Sequence, residues 1–188
     1  MTDHTNGVNR RSFIKSATAV TVCSMLPVSM ASAKTFLTVD QAKEMLLGKA
    51  ALTKVEVTLT EQQAETIEDA TDVRVRHNEL KVWKTADNNW FILDQVIGKH
   101  ENIDLAVALT HEGKVIGLEV LTYRESYGDQ VRIPKWREQF HGKDHTTVLE
   151  LDEEIVNIAG ATLSCSHITD GINRLTHTWK VALAPLQA

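Results

Sequence analysis

An α+β domain, a meandering antiparallel sheet flanked by helices, is what this sequence predicts, and three observations carry the prediction. Strand-like runs come in consecutive pairs separated by short polar turns. Stretches with helical spacing stand before and after those pairs. No internal repeat and no second domain boundary interrupts the chain, and 188 residues at 43% hydrophobic and 24% charged are enough for one domain with a real core.

The elements follow in order. "TVDQAKEMLLG" (38–48) places Val39, Ala42, Met45 and Leu46 at helical spacing, with Gly48 as a stop. "TKVEVTLT" (53–60) alternates as a strand does, and "EQQAETIEDA" (61–70) returns to helical composition with Ala64 and Ile67 inward. "ELKVWK" and "WFILDQVIG" flank the polar turn 85–89, which reads as a hairpin. "IDLAVALT" and "KVIGLEVLTY" form a second hairpin across 111–113. The segment 124–145 then breaks the pattern: it is polar, holds Gly128 and Gly142, and has a short helical candidate opened by Pro134. A long irregular connection with Tyr127, Trp136 and Phe140 in it points to function rather than disorder. "LDEEIVNI" (151–158) reads as a strand, and the last helix runs from about Leu163 to Val181. Trp83, Trp90 and Trp179 fall on these patterns as core residues, and Asp152–Glu154 as a solvated acidic edge.

Residues 1–33 do not belong to this domain. "NRRSFIK" (9–15) sets paired arginines ahead of Phe13 and Lys15, a modestly apolar run extends to Met30, and "ASA" (31–33) supplies small residues for cleavage. That order has the parts of a twin-arginine export signal, and the expected location is periplasmic. The apolar run is too short to anchor a mature chain in a bilayer. The competing account is a basic tail ahead of a buried helix. Removing 1–33 takes away Arg10, Arg11, Lys15 and Asp3, so the remaining net charge is 17 − 24 = −7. Such a surface argues against nucleic acid or anionic lipid as partner, and a membrane is expected only through a partner protein. Cys23 leaves with the signal, and Cys165 alone cannot form an internal disulfide. Residues 34–79 are expected to be a helix and strand extension packed on a domain of residues 80–188.

"AGATLSCSHITDG" (159–171) carries the chemistry. A helix N-terminus offers unpaired N–H groups and positive partial charge, a site suited to a phosphate. Gly160 and its small neighbours let the backbone come close to such a group, Thr162 brings a hydroxyl, and Ser164 and Ser166 could add hydrogen bonds. The competing account is that Thr162 merely caps the helix while the small residues pack on the sheet.

"VNIAGATLS" together with "RESYGDQVRIPKWREQFHGK" resembles the FMN-binding domain family, found in subunits of sodium-pumping quinone reductases and related electron-transport complexes. That family carries an Asp, two variable positions, Ser or Thr, then Gly, Ala and a Thr or Ser that holds FMN through a phosphoester. Gly160, Ala161 and Thr162 match its last three positions; Val156 and Ala159 depart from the first and fourth. The upstream loop matches at Glu125, Gly128, Trp136, Gln139 and Phe140. The resemblance, over roughly residues 80–185, implies covalent FMN on Thr162. The further cofactor-binding residues it implies are Gly160, Ala161, Leu163, Ser164, Glu125, Tyr127, Gly128 and Trp136, with Tyr127 or Trp136 stacking on the flavin ring. It also implies a flavin transferase for maturation, one that uses FAD and magnesium and releases AMP. An electron donor and an electron acceptor protein complete the expected partners.

The function expected from this is an exported electron carrier rather than a stand-alone enzyme. The alternative is a noncatalytic binding module of the same fold with noncovalent or no flavin, for which Val156 and Ala159 are the hints. A flavin reductase acting on a small substrate would need a positioned acid/base pair, and none is evident. His141 and His145 have ligand-like spacing only on a helix, which Gly142 opposes, so a solvated loop is the better account and no metal is expected. His100 borders a strand, where a contact to flavin and an exposed role are equally open. Cys165 lacks a paired base and reads as a small packing residue.

Overall fold

In the computed structural model, residues 1–2 and 34–187 are described; the signal-sequence reading of 1–33 otherwise lies outside the described residues. Residues 31–188 form one compact unit. Its chain order is β1 (Lys34–Thr35), α1 (Val39–Leu47), β2 (Leu52–Thr58), α2 (Glu61–Thr71), β3 (Glu79–Thr85), β4 (Trp90–Ile97), β5 (Asn102–Leu109), β6 (Val115–Tyr123), α3 (Pro134–Arg137) and α4 (Thr162–Thr178). The six strands make one antiparallel sheet in the order β1-β6-β5-β4-β3-β2, so the α+β meander expected from the sequence is the architecture found.

Side-chain alternation along the strands divides the core between two faces. Trp90 and Ile92 of β4 and Ile103, Leu105, Val107 and Leu109 of β5 belong to the main core, which α4 completes with Cys165, Ile168, Ile172 and Leu175. Phe91 and Ala106 point the other way and pack with Ala42 of α1. Both N-terminal helices begin with a capping box: Thr38 with Gln41, and Thr60 with Gln63, exchange side-chain and backbone hydrogen bonds. α2 turns Ile67 inward against Leu59 and Ala182. Residues 34–79 thus supply both edge strands and a helix on each face.

Two sequence expectations need correction. Residues 151–158 form no strand: the carbonyl of Glu150 accepts from the amides of Glu154 and Ile155, Asp152 adopts a left-handed φ of 70°, and only an isolated bridge joins Leu151 to Ile155. The six-stranded sheet is complete without this stretch, and the acidic run closes a turn on the Glu150 carbonyl instead. The last helix begins at Thr162, and its regular α geometry ends at Thr178; a π-helical segment, Trp179–Leu183, follows before the Pro185 turn. Among the described residues, no helix is long and apolar enough to cross a membrane.

Candidate site at the N-terminus of α4

The chain enters α4 through a tight turn. Gly160 has φ +86°, where a side chain would be strained, and the Ala161 amide donates to the carbonyl of Ile158. Ala161 is the N-cap and is buried. It has no polar side chain, so the first amides of α4 receive no side-chain cap. Thr162 is therefore the first helical residue and not the cap, which removes the capping account of its hydroxyl. Its side chain is exposed, and Oγ1 accepts from Nδ2 of Asn157 at 3.3 Å. Nδ2 of Asn157 is also 3.5 Å from Asp152 Oδ2, so the acidic turn orients the amide toward Thr162. An exposed hydroxyl, uncapped amides, and a glycine with open space around it fit a phosphate group joined to Thr162.

The 124–145 segment holds this turn from behind. Trp136 Nε1 donates to the carbonyl of Val156 at 2.7 Å, and the Val156 amide donates to Oε1 of Gln139 at 2.8 Å. Both backbone polar groups of Val156 are thus fixed, while its side chain is 68% exposed. The indole of Trp136 is only 5% exposed and meets Phe140 edge-on, with ring centroids 5.2 Å apart. Its ring faces are spent on packing, so the expectation that Trp136 offers one to a flavin is not met. Tyr127, 85% exposed, keeps its ring free.

Tyr123, at the end of β6, connects loop and helix and was missed from the sequence. Its hydroxyl donates to the carbonyl of Tyr127 at 2.5 Å and lies 2.8 Å from Ser164 Oγ. A carbonyl only accepts, so the phenol proton goes to Tyr127 and the Ser164 hydroxyl donates to the phenol oxygen. The buried Ser164 is thereby committed to structure, and Thr162 and Leu163 are the exposed side chains of the first turn of α4. Gly128 packs into the same junction: with φ +96°, a Cβ there would lie 2.5 Å from the Tyr123 hydroxyl and 3.0 Å from Ser164 Oγ. The signal that could have found Tyr123 is a buried strand-end tyrosine, whose hydroxyl requires a partner. Tyr123→Phe is expected to cost about 1–2 kcal/mol by leaving the Tyr127 carbonyl and Ser164 hydroxyl unpaired, measurable by urea denaturation.

Glu125 lies on the other side of the loop. Its carboxylate accepts from the amides of His100 and of Glu101, the latter at 2.9 Å, and so closes the β4–β5 turn. Burial alone would raise its pKa; the two amides outweigh this and hold the carboxyl below its usual value of 4.5. A depressed folded-state pKa gives stability that is present above the unfolded value and fades as pH falls through the folded one. Glu125→Gln is therefore expected to flatten the acid limb of the stability profile below about pH 4.5, read as denaturation midpoint against pH.

The other candidates resolve into supporting roles. Burial pushes the Cys165 thiol above its usual pKa, as befits a packing residue. His141 Nδ1 is 2.9 Å from the carbonyl of Ile116, while His145 lies against Trp179 and His177. Among the described residues, no cluster of His, Cys, Asp or Glu could hold a metal ion.

A helix entrance with an exposed hydroxyl and uncapped amides, on a meandering antiparallel sheet, is the candidate site this geometry offers. Residues 98–177, 80 of the 188, match the family model of the FMN-binding domain, which supports FMN as the cofactor and a flavin-binding electron-transfer role. The matched segment begins at Gly98, beside Glu125, and takes in the whole 124–145 loop, Thr162 and nearly all of α4. Among curated proteins, none matches the sequence.

Proposed function

We propose that this protein is an exported electron carrier with FMN esterified through its phosphate to Thr162, relaying electrons between a membrane or periplasmic donor and an acceptor. The observation that supports this reading best is the exposed, uncapping hydroxyl of Thr162 at the open N-terminus of α4, inside the segment that matches the FMN-binding domain. When bound, FMN supplies one- and two-electron transfer.

The chain's own residues attach and orient. Asn157 holds the Thr162 oxygen from one side, and the uncapped amides of the first turn face the phosphate. The Thr162 hydroxyl is the group that would hold FMN, and its ester would form by exchange for AMP on FAD, with loss of the hydroxyl proton, under a flavin transferase that uses magnesium. The exposed ring of Tyr127 is the aromatic surface nearest in sequence to the Gly128 junction, and it would cover one flavin face. The tether makes physical sense outside the cytoplasm, where a dissociated flavin is lost. It also leaves donor and acceptor to approach the exposed entrance of α4 at Thr162 and Leu163.

The test is expression with export alongside a flavin transferase, followed by denaturing electrophoresis. Fluorescence that stays with the polypeptide supports the ester. Fluorescence recovered only in the filtrate points to noncovalent FMN, and none at all to a binding module of the same fold. Val156 and Ala159 are both exposed, so Val156→Asp with Ala159→Ser can restore the family's usual residues without disturbing the core. The pair is expected to raise the modified fraction, measured by the ratio of flavin to protein absorbance.

A further inference from the structure

We propose that the cleft between the α2–β3 connection, the β4–β5 turn and the middle of α4 binds a small anion carrying carboxylate or phosphate groups. The cleft has a volume of about 370 Å³, room for a small metabolite and too little for a folded partner. Arg74 and Arg76 line it from the α2–β3 connection, Lys99 from the β4–β5 turn, and His167, Asp170 and Arg174 from α4.

The charge in the cleft opposes the charge of the chain. Among the described residues, Arg74, Arg76 and Lys99 form no salt bridge, and Arg174 is matched by Asp94 at 2.5 Å. Among the lining side chains, three cations without a salt bridge stand against the carboxylate of Asp170, with Asp72 close to it and the Glu125 carboxylate beside Gly98, on a protein whose net charge is −5. A concave basic surface on an acidic molecule focuses field lines and raises the local concentration of anions. Behind the cleft wall, Arg174 Nε and His167 Nδ1 are buried without a hydrogen-bond partner. Guanidinium groups match carboxylate and phosphate oxygens in pairs, which favours these anions over halides. Burial pushes the Asp170 carboxyl above its usual range, so this opposing charge is held at a cost. Gly171 fixes the floor: a Cβ there would lie 2.6 Å from Val96 Cγ1, so α4 sits directly on β4 beneath the cationic walls.

The α4 residues of the cleft start five positions beyond Thr162, about 7.5 Å along the helix, so the flavin-loaded form is the arm that separates this site from the flavin. The experiment is isothermal titration of the full mature chain, flavin-free and flavin-loaded, with inorganic phosphate and separately with succinate. Saturable binding of at least one probe is expected, with equal affinity in both forms, and the two arms show whether phosphate or carboxylate is preferred. Arg74→Ala with Arg76→Ala, both exposed and so tolerated by the fold, is expected to weaken binding about tenfold. Asp170→Asn is expected to tighten it about threefold by removing the opposing charge. The proposal is overturned if neither probe saturates or if the arginine double variant binds as the parent does. It is equally overturned if flavin loading abolishes binding, since the cleft would then belong to the flavin.

Discussion

Thr162→Ala is expected to abolish covalent flavin completely while leaving the fold intact. The side chain is exposed, makes one long hydrogen bond to Asn157 and caps nothing, so its loss costs little stability, on the order of 0.5 kcal/mol. The chemical effect is all or none, because an ester cannot form without the oxygen. Ser164→Ala is the matched control two residues on. Ser164 is buried and donates to Tyr123, so its removal should lower stability by roughly 1 kcal/mol and leave flavin retention unchanged. Fluorescence on a denaturing gel reads both variants. Retention in Thr162→Ala with loss in Ser164→Ala would assign the ester to the wrong hydroxyl.

The second large effect is on stability. Trp136→Ala is expected to cost about 3–5 kcal/mol, the range for removing a buried large aromatic side chain. For a domain of this size, that corresponds to a fall in Tm of roughly 6–20 °C. Two losses combine: the cavity beside Phe140, and the unpaired carbonyl of Val156, which the indole N–H otherwise satisfies. Trp136→Phe retains much of the ring but not the donor, and should recover only part of the difference. Calorimetry on the flavin-free protein measures this without involving the cofactor. A Tm change under about 2 °C for Trp136→Ala would contradict the placement of this side chain in the core.

The central hairpins were legible because alternation and polar turns act locally: β3 through β6 lie within two residues of the runs that predict them. The helices α1 and α2 were legible for the same reason, their apolar spacing being closed by strong end signals. Residues 151–158 misled because apolar residues flanking an acidic run resemble a strand, whereas the chain there turns back on the Glu150 carbonyl with only an isolated bridge from Leu151 to Ile155. At the site, Thr162, Gly160 and Gly128 were visible as a hydroxyl and glycines in a recognisable order. Trp136 was placed in the right segment with the wrong use, since sequence cannot say which face of a loop aromatic turns inward. Tyr123 and Asn157 were invisible: their partners, Ser164 and Thr162, are brought to them by the packing of α4 on the sheet and by the 151–161 turn.

The most direct measurement is the intact mass of the chain purified from the periplasm of a host that also makes a flavin transferase. The account predicts the polypeptide from about Lys34 onward plus one esterified FMN, with the added mass mapping to the peptide that contains Thr162. A chain weighing only its amino acids, from a host whose transferase modifies a control substrate, would contradict it.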